Sequence, residues 1–573
     1  MHYGSMGTMV VSSVQRAAGI FQAHFELIKR VWKAYLKHHW PKPLETTSSS
    51  LKSQYLIQVI SNRIYIYALQ AHQTVTVARM ESINLHPATH ELSSLKTQTY
   101  DIIGIGSGWA TRVAGARAVK AGLTALIVES ELVGGECPFW ACIPSKALLR
   151  PQEVLGEALA VTGVKELLPP DAKVDAAAVL RRRDKYTAGW DDGVHLIPMV
   201  EGAGVDLVRG YGKIAGEKQV EVRSADGQVA TLHARHAVII GSGSVAVIPS
   251  IPGLAEAKPW TPRHATSSDH VPKSLVVIGT GAVGMEMATV YASLGSRVTL
   301  VARSPEILPN YDAEIGKTVR EAMVSRGATV LVATSVTKVT TNADGQKEVH
   351  LDDGQVIQTE EILVATGRRP ATDGLGLEQY GIPVDGTPIK VDDSLCISAV
   401  PGGWLYGAGD VVGRGSFSHS SKYHGRIISN SIVAKVRGTE ADTAPWGSAS
   451  ATADAFAVPQ VVFTSPVVAS VGLSAKGAQD AGIAHRVVRA PLATSGTMVR
   501  GETPNNGFAQ WVVDSSTNRL LGAVFVGNGV EELLHPSTVA IVGQVPLERL
   551  AHAVACFPTM SEVYLNLLDA AGL

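Results

Sequence analysis

The segment Asp101-Ile-Ile-Gly-Ile-Gly-Ser-Gly-Trp-Ala-Thr111 decides the fold of this chain, because it joins an aliphatic strand to a helix through a glycine-rich turn. Gly106 permits the tight turn, and Gly108 lets the backbone approach a pyrophosphate group at the helix N-terminus. Glu129 lies 23 residues after Gly106, at the end of the next aliphatic run, where it is positioned to accept hydrogen bonds from a ribose. The segment predicts a dinucleotide site, although a lone motif of this kind is also compatible with a structural turn.

The last small-residue position of this turn is occupied by Thr111, where glycine or alanine normally gives close packing between helix and strand. The neighbouring residues Ala110, Ala114 and Gly115 are small. We expect these neighbours to relieve the crowding around the threonine side chain.

A second glycine-rich turn, Gly279-Thr-Gly-Ala-Val-Gly284, follows another aliphatic strand 173 residues after the first turn, and it is intact at Gly279, Gly281 and Gly284. In the next strand the position of an acid that would hold the 2′-hydroxyl of NAD carries Ala302, followed by Arg303. An arginine binds a 2′-phosphate through charge-assisted hydrogen bonds. We therefore expect NADP rather than NAD, the alternative being that Arg303 only faces solvent.

Two cysteines stand in the segment Gly134-Gly-Glu-Cys-Pro-Phe-Trp-Ala-Cys-Ile-Pro-Ser-Lys146. Their four-residue separation lets Cys137 and Cys142 close a disulfide across one turn at a helix start, where the helix dipole also favours a thiolate. The alternatives are half of a zinc site or two buried core cysteines. The other cysteines, Cys396 and Cys556, are isolated in the sequence, so we expect no metal site.

The composition restricts the class of protein. The chain has 573 residues, 45% of them hydrophobic and 18% charged, which predicts about three or four domains of a soluble α/β protein. Its 50 basic and 51 acidic residues leave a net charge of −1, so we expect no nucleic-acid partner. No apolar run reaches 18 residues, so we expect no membrane span. The alternation of strand and helix patterns predicts parallel sheets.

From about residue 100 the chain resembles the class I pyridine nucleotide-disulfide oxidoreductases, the family of dihydrolipoamide dehydrogenase, glutathione reductase and mercuric reductase. The Cys-x4-Cys-Ile-Pro-Ser-Lys string carries the resemblance. It implies an α/β fold with two Rossmann-like nucleotide-binding domains and a C-terminal α+β dimerisation domain. The implied division is an extension over 1–99, an FAD-binding domain over 100–250 and 384–455, an NAD(P)-binding domain over 251–383, and a dimerisation domain over 456–573.

The resemblance also implies the roles of the site residues. Cys142 would contact the flavin, Cys137 would be the interchange thiol, and Lys146 would pair with Glu286 near the flavin ring. The string Tyr406-Gly-Ala-Gly-Asp410 resembles the second flavin motif, whose aspartate accepts a hydrogen bond from the ribitol chain. Gly367 lies in a string that resembles the exit from the nicotinamide domain. The implied activity carries electrons from NADPH through FAD and the cysteine pair to a small-molecule acceptor, in a homodimer.

Two departures from the family pattern bear on the acceptor. Glu136 stands where the family usually has threonine, and Phe557 stands in place of the active-site histidine, followed by Glu562. Phenylalanine cannot transfer a proton, so the acceptor is expected to be a disulfide that reacts with another acid such as His552, a metal ion, or a quinone. A flavin-only quinone reductase, a dihydrolipoyl dehydrogenase that lacks this histidine, and a non-catalytic flavoprotein are the alternatives. We expect Cys556 to be a small core residue rather than a third redox thiol.

The first 99 residues differ in character from the rest, with ten basic residues against four glutamates. Apolar residues from Val14 to Tyr35 recur at helical spacing and predict an amphipathic, basic helix. Such a helix fits a mitochondrial targeting segment, whereas a simple extension or a misassigned start fits a cytoplasmic protein, which we expect.

Overall fold

The first glycine-rich turn follows the central strand of a seven-stranded sheet. In the computed structural model its order is β3-β2-β1-β6-β5-β4, with β16 also beside β6. The central pairs are parallel, and the β4 and β5 edge is antiparallel. The strands are β1 (Thr99–Ile105), β2 (Ala125–Glu129), β3 (Asp206–Arg209), β4 (Tyr211–Gly216), β5 (Gln219–Arg223), β6 (Val229–Ile240) and β16 (Leu405–Gly407). The aliphatic runs that predict strands form the parallel centre, because both of its faces are covered, one by helices and the other by strands β4 and β5 together with segments around Leu377 and Trp404.

The helices alternate with these strands, as the sequence predicts. In chain order they are α1 (Arg79–Ser82), α2 (Trp109–Lys120), α3 (Glu136–Phe139), α4 (Cys142–Leu159), α5 (Ala176–Tyr186), α6 (Leu196–Gly202), α7 (Pro262–Ser267), α8 (Ala282–Ser293), α9 (Ala313–Ser325), α10 (Ser418–Val436), α11 (Ala453–Phe456), α12 (Ala475–Asp480), α13 (Ser495–Met498), α14 (Leu534–Val542), α15 (Leu547–Leu550) and α16 (Val563–Ala571). Gly425 of α10 has no side chain, and its Cα faces the Ala110 carbonyl of α2, so the two helices pack closely.

The second nucleotide-binding region has its own parallel sheet, in the order β10-β9-β8-β14, beside a three-stranded antiparallel sheet, β11-β12-β13. Strands β7 and β15 pair where the chain enters and leaves this region. The strands are β7 (Ser244–Ala246), β8 (Ser274–Ile278), β9 (Arg297–Val301), β10 (Thr329–Leu331), β11 (Val336–Thr341), β12 (Lys347–Leu351), β13 (Val356–Thr359), β14 (Glu361–Val364) and β15 (Arg368–Pro370).

The C-terminal region is a five-stranded antiparallel sheet, β17-β18-β21-β20-β19, packed against α14 and α16. Trp511, Phe525 and Tyr564 form the aromatic centre of its core, and all three are buried. The strands are β17 (Pro459–Val462), β18 (Val467–Gly472), β19 (His485–Pro491), β20 (Phe508–Asp514) and β21 (Leu520–Gly527). The fold class that the resemblance implies is therefore present.

The structure describes residues 79–342, 345–501 and 507–573. The helix predicted between Val14 and Tyr35 lies outside these residues. Within them, no helix has the length and the apolar character that a bilayer crossing needs. Residues ahead of β1 already belong to this body, because Arg79 pairs with Asp184 at 2.9 Å and Met80 packs beside Trp190.

Candidate functional site

The first glycine-rich turn has the geometry of a nucleotide-binding turn. Gly106 has a φ of +90°, and a Cβ on it would lie 2.4 Å from the Gly241 carbonyl oxygen, so only glycine fits. Gly108 is the N-cap of α2. Glu129 Oε2 accepts hydrogen bonds from the amide and hydroxyl groups of Ser107, at 2.8 and 2.5 Å, and Oε1 accepts one from an amide. Oε1 keeps one acceptor position for a ribose hydroxyl.

Thr111 fits into this turn because residues opposite it have no side chain. A Cβ on Gly104 would lie 3.0 Å from Thr111 Cβ, and a Cβ on Gly241 would lie 2.8 Å from Thr111 Cγ2. The threonine hydroxyl donates to the Gly106 carbonyl at 2.5 Å. The expectation that small neighbours within the helix relieve the crowding was wrong, since the space comes from glycines on β1 and after β6.

The second glycine-rich turn repeats this geometry. Gly279 has a φ of +105°, and a Cβ on Gly284 would lie 2.1 Å from the Gly279 carbonyl oxygen. Gly281 is the N-cap of α8. Arg303 follows β9 and is exposed, with no ion-pair partner in the described part of the chain. Gly367, at a φ of +145°, accepts a hydrogen bond from the amide of residue 247.

The two predicted site cysteines lie together as free thiols, in contact with each other. Cys137 lies within α3, and Cys142 is the first residue of α4. The Cys142 sulfur is 3.2 Å from the hydroxyl oxygen of Ser418, the first residue of α10. A helix N-terminus favours a thiolate, so α4 stabilises negative charge on this pair.

The surroundings of Cys137 and Cys142 shift the pKa values of the two thiols in opposite directions. A hydrogen bond from Cys142 lowers the pKa of Cys137 to about 6 against the opposing effect of burial, and Ser418, Trp109 and Arg112 add to the lowering. The hydrogen bond to Cys137, together with burial, raises the pKa of Cys142. The pair therefore loses its first proton from Cys137 below neutral pH.

Lys146 and Glu286 form the ion pair that the resemblance implies. Lys146 Nζ lies 2.7 Å from Glu286 Oε2 and 4.5 Å from the centre of the Phe463 ring. The other oxygen of Glu286 accepts from the Phe463 amide at 3.2 Å. The positive charge of Lys146 acts on Cys142, where it lowers the pKa and so opposes the effect of burial.

A hydrogen-bonded chain connects Asp410 to the residue just before Cys137. Asp410 Oδ2 accepts from Ser244 Oγ at 2.6 Å, and Ser244 Oγ accepts from Arg368 Nε at 2.8 Å. Arg368 lies 3.5 Å from Glu136, which also pairs with Arg263. Glu136, where the family usually has threonine, thus fixes α3 to the strand pair β7 and β15.

The residues present fit FAD. The first-turn amides of α2 have no intrahelical acceptor and face the space that Gly108 leaves open. Glu129 Oε1 offers a free acceptor position, Asp410 accepts a single hydrogen bond, and Lys146 stands beside the thiol pair. These groups match, in the order given, the pyrophosphate, ribose, ribitol and ring of a flavin dinucleotide.

Phe557, which stands in place of the family's active-site histidine, lies at the surface of this chain. Phe557 is 72% exposed. Glu562 Oε2 accepts from the Gly496 amide at 2.8 Å, so this carboxylate stabilises the start of α13. Cys556 is exposed, and its predicted core position was wrong, whereas Cys396 is buried as predicted.

The sequence analysis missed four residues beside the thiols: Trp109, Arg112, Ser418 and Lys422. Trp109 and Arg112 lie in or next to the quoted turn, and a tryptophan after Gly108 was the signal that pointed to them. Ser418 and Lys422 belong to no motif, and only the packing of α10 on α2 brings Ser418 to Cys142 and Lys422 to Trp109. In the described ranges, no group of three or more metal-ligating side chains forms a site.

Two family models match the chain. The model of the pyridine nucleotide-disulphide oxidoreductases matches residues 100–430, and the model of the dimerisation domain of these enzymes matches residues 458–567.

Individual relatives cover most of the chain. A dihydrolipoyl dehydrogenase from Rhizobium etli is 33% identical over 495 residues, which cover 83% of this chain and 98% of that protein. A mercuric reductase from Staphylococcus aureus is 29% identical over 489 residues, which cover 83% of each protein. The solved structure of the HOCl-induced flavoprotein disulfide reductase RclA from Escherichia coli matches with a TM-score of 0.69 at 23% identity, over 82% of this chain and 99% of that one. The structural match shows the fold.

Proposed function

This chain belongs to the pyridine nucleotide-disulphide oxidoreductase family, and from that premise we propose that it oxidises NADPH and reduces a small-molecule acceptor through FAD and the pair Cys137 and Cys142. The observation that carries the proposal is the position of Cys142 at the N-terminus of α4, 3.2 Å from the Ser418 hydroxyl, with Cys137 near enough to change its acidity. The neighbouring pair of Lys146 and Glu286 supports it, because this pair places a cation beside Cys142.

The protein residues divide the chemistry between them. When bound, FAD accepts a hydride from NADPH and passes the electron pair to a disulfide. The predicted bond between Cys137 and Cys142 takes up that pair and breaks, which leaves one thiolate and one thiol. Because the pKa of Cys137 is lowered and that of Cys142 is raised, the thiolate resides on Cys137 and the proton on Cys142. Cys137 is then ready to attack an acceptor, and Cys142 is ready to close the bond again.

Anaerobic reduction by one equivalent of NADPH tests this assignment. We expect two thiols to become reactive toward iodoacetamide, with Cys137 alkylated first. Cys142→Ser cannot form the disulfide, so its Cys137 thiol should be alkylated at the same rate before and after reduction. Cys396→Ser, which removes a buried thiol elsewhere, serves as the control and should behave like the wild type. Reduction-dependent alkylation of Cys137 in Cys142→Ser, or alkylation of neither cysteine on reduction of the wild type, would refute the proposal.

Coenzyme choice and assembly are part of the same proposal. The exposed Arg303 after β9 supports NADPH over NADH, since among the described residues no carboxylate forms an ion pair with it. The match to the dimerisation domain supports a homodimer. The exposed apolar side chains of Val539, Val542 and Val554 in that domain fit a covered face. Light scattering at micromolar concentration should give twice the mass of the chain, and a monomer would contradict the homodimer.

A second candidate is a reductase of quinones or metal ions, and Phe557 at the histidine position favours it. Neither acceptor needs a proton from that position. The relatives named as dihydrolipoyl dehydrogenase and mercuric reductase supply the other two acceptors to compare, lipoamide and Hg(II). Turnover should be measured with lipoamide, Hg(II) and a naphthoquinone, in the wild type and in Cys137→Ser. A quinone turnover that survives in Cys137→Ser would identify a flavin-only reaction and leave the cysteine pair without a part in it.

A further inference from the structure

Three side chains form what we call the cationic cluster: Trp109 and Arg112, which are near enough to Cys137 to lower its pKa, and Lys422, which contacts Trp109. Arg112 Cζ lies 4.1 Å from the centre of the Trp109 ring, and Lys422 Nζ lies 3.8 Å from a ring centre of the same residue. Arg112 and Trp109 both act on the Cys137 sulfur and lower its pKa. The cluster therefore combines two cations and one aromatic ring beside the thiol that meets the acceptor.

Two nitrogen donors of this cluster are buried without a hydrogen-bond partner among the described residues. They are Arg112 Nε and Trp109 Nε1. Arg112 is 6% exposed, and its guanidinium otherwise donates to the Gly134 carbonyl at 3.2 Å. Buried donors normally have a partner, because an unsatisfied one costs the free energy of its lost hydration. The indole N–H is near enough to Cys137 to affect its acidity, yet it completes no hydrogen bond to the sulfur.

Neither cation has a carboxylate partner. No aspartate or glutamate oxygen lies within 4.0 Å of Arg112 or Lys422 in the described ranges. Burial lowers the pKa of Arg112 to about 10, so the group is still protonated at neutral pH. The negative charges of Cys137 and Glu129 favour the protonated form of Arg112 without forming an ion pair with it, and a second cation on the same ring adds like-charge repulsion. An anion bound beside the cluster would offset that repulsion and the cost of burying the guanidinium.

We propose that the cationic cluster binds a negatively charged group of the electron acceptor beside Cys137, so that the enzyme selects acceptors with a carboxylate or phosphate next to the reacting atom. Lys422 is exposed, so an anion can approach the cluster from solvent on the Lys422 side, while the unpaired donors of Arg112 and Trp109 lie on the buried side. This inference rests on the proposed function, because it assumes that Cys137 reacts with the acceptor. One part of its test measures alkylation of Cys137 and does not require the enzyme to turn over an acceptor.

With a disulfide acceptor the reaction balances as follows. The Cys137 thiolate attacks one acceptor sulfur, and the acceptor bond breaks and releases a thiolate, which takes a proton from solvent. The Cys142 thiol gives up its proton to solvent, and its sulfur attacks Cys137 and releases the second acceptor thiolate. Two electrons move from the cysteine pair to the acceptor, and the cysteine disulfide is restored.

The first arm of the test measures alkylation of Cys137 in the FAD-loaded, dithiothreitol-reduced and desalted protein, followed by mass spectrometry of the Cys137 peptide. Iodoacetate is an anion and iodoacetamide is neutral, and both alkylate a thiolate by the same reaction. We expect Lys422→Glu to reduce the ratio of the iodoacetate rate to the iodoacetamide rate about 3- to 10-fold. Arg437→Gln, at the far end of the same helix and about 22 Å away, is the matched control and should leave the ratio unchanged.

The second arm measures kcat/KM with NADPH and two disulfides, the dianionic 5,5′-dithiobis(2-nitrobenzoate) and the neutral 4,4′-dithiodipyridine. Lys422→Glu should lower the value for the dianion about 3- to 10-fold and leave that for the neutral disulfide within a factor of two. If no acceptor turns over while the alkylation ratio still depends on Lys422, the proposed function fails and this inference stands.

Equal effects on the charged and neutral reagents would overturn the inference, because the cluster would then only stabilise the Cys137 thiolate. The same conclusion would follow if Arg112→Gln lost bound flavin and Lys422→Glu left the alkylation ratio unchanged, because Arg112 would then serve the flavin phosphates.

Discussion

Lys146 Nζ lies 2.7 Å from Glu286 Oε2, so a single ion pair joins the helix of the thiol pair to the helix of the second glycine-rich turn. Glu286 is 8% exposed at its side chain and also accepts from the Phe463 amide in the C-terminal region. This carboxylate therefore connects three parts of the chain, whereas the surface pair of Lys317 and Glu321 connects neighbouring turns of one helix.

The first prediction concerns the stability of this junction. Glu286→Leu leaves Lys146 without its partner and the Phe463 amide without an acceptor, and we expect a loss of about 2–4 kcal/mol in the free energy of unfolding. Glu286→Gln keeps an acceptor for the amide and should lose less. Thermal unfolding of the FAD-loaded protein measures the effect, and Glu321→Leu on the exposed face of α9 is the control. Equal loss in Glu286→Leu and Glu321→Leu would contradict this account.

The second prediction concerns the space around Thr111. A methyl group on Gly104 would lie 3.0 Å from Thr111 Cβ, and the β-branched side chain has little freedom to move. We expect Gly104→Ala to destabilise the protein by about 1–3 kcal/mol. The double variant Gly104→Ala with Thr111→Ala should recover part of that loss. Additive losses in a double-mutant cycle would show that the two residues do not share this space.

The third prediction concerns pH. Because the pKa of Cys137 is lowered to about 6, its thiolate is present above that pH and protonated below it. Alkylation of Cys137 by iodoacetamide in the reduced protein should therefore be half-maximal at about pH 6. Ser418→Ala removes a hydrogen bond that favours the thiolate, so the midpoint should move to higher pH by about half to one unit. Ser418→Thr keeps a hydroxyl and should behave like the wild type. A midpoint near pH 9 in the unchanged protein would refute the assignment.

The fourth prediction concerns the coenzyme. Arg303→Glu replaces a cation with an anion where a 2′-phosphate would bind, and kcat/KM for NADPH should fall about 10- to 100-fold while that for NADH does not fall. Arg297→Glu, an exposed change at the opposite end of β9, provides the matched control. A preference for NADH in the wild type that Arg303→Glu does not alter would remove Arg303 from the coenzyme site.

The fifth prediction concerns the missing imidazole. Phe557→His places a titratable ring at an exposed position, and an assisted proton transfer accelerates such reactions by about 10²- to 10⁴-fold when it is well placed. We expect a smaller gain of about tenfold in lipoamide turnover, because Glu562 is engaged with the Gly496 amide and does not orient the new ring. Val554→His, in the same exposed stretch, should give no gain. A gain in quinone turnover of the same size would contradict a role in proton transfer.

The parts of the fold that the sequence predicted are those with local causes. Gly106 and Gly279 must be glycine because their φ angles are positive and backbone oxygens lie where a Cβ would be. Aliphatic runs buried on both faces become parallel strands, and Cys137 and Cys142 come close because only four residues separate them, across the break between α3 and α4 at Trp140 and Ala141. The analysis also placed Lys146 with Glu286, but it did so through the resemblance to a family rather than through spacing.

The sequence by itself thus determined two nucleotide-binding turns, their order, and a cysteine pair between them, since each depends on residues close together in the chain. Only the tertiary structure decided what surrounds the cysteines. Ser418 reaches Cys142 and Lys422 reaches Trp109, across about 280 and 310 residues of sequence, because α10 packs against α2 at Gly425. The tertiary structure likewise decided that Cys556 is exposed and that glycines opposite Thr111 make room for it. Such contacts depend on how close two distant segments come, and no periodicity or local motif records that distance.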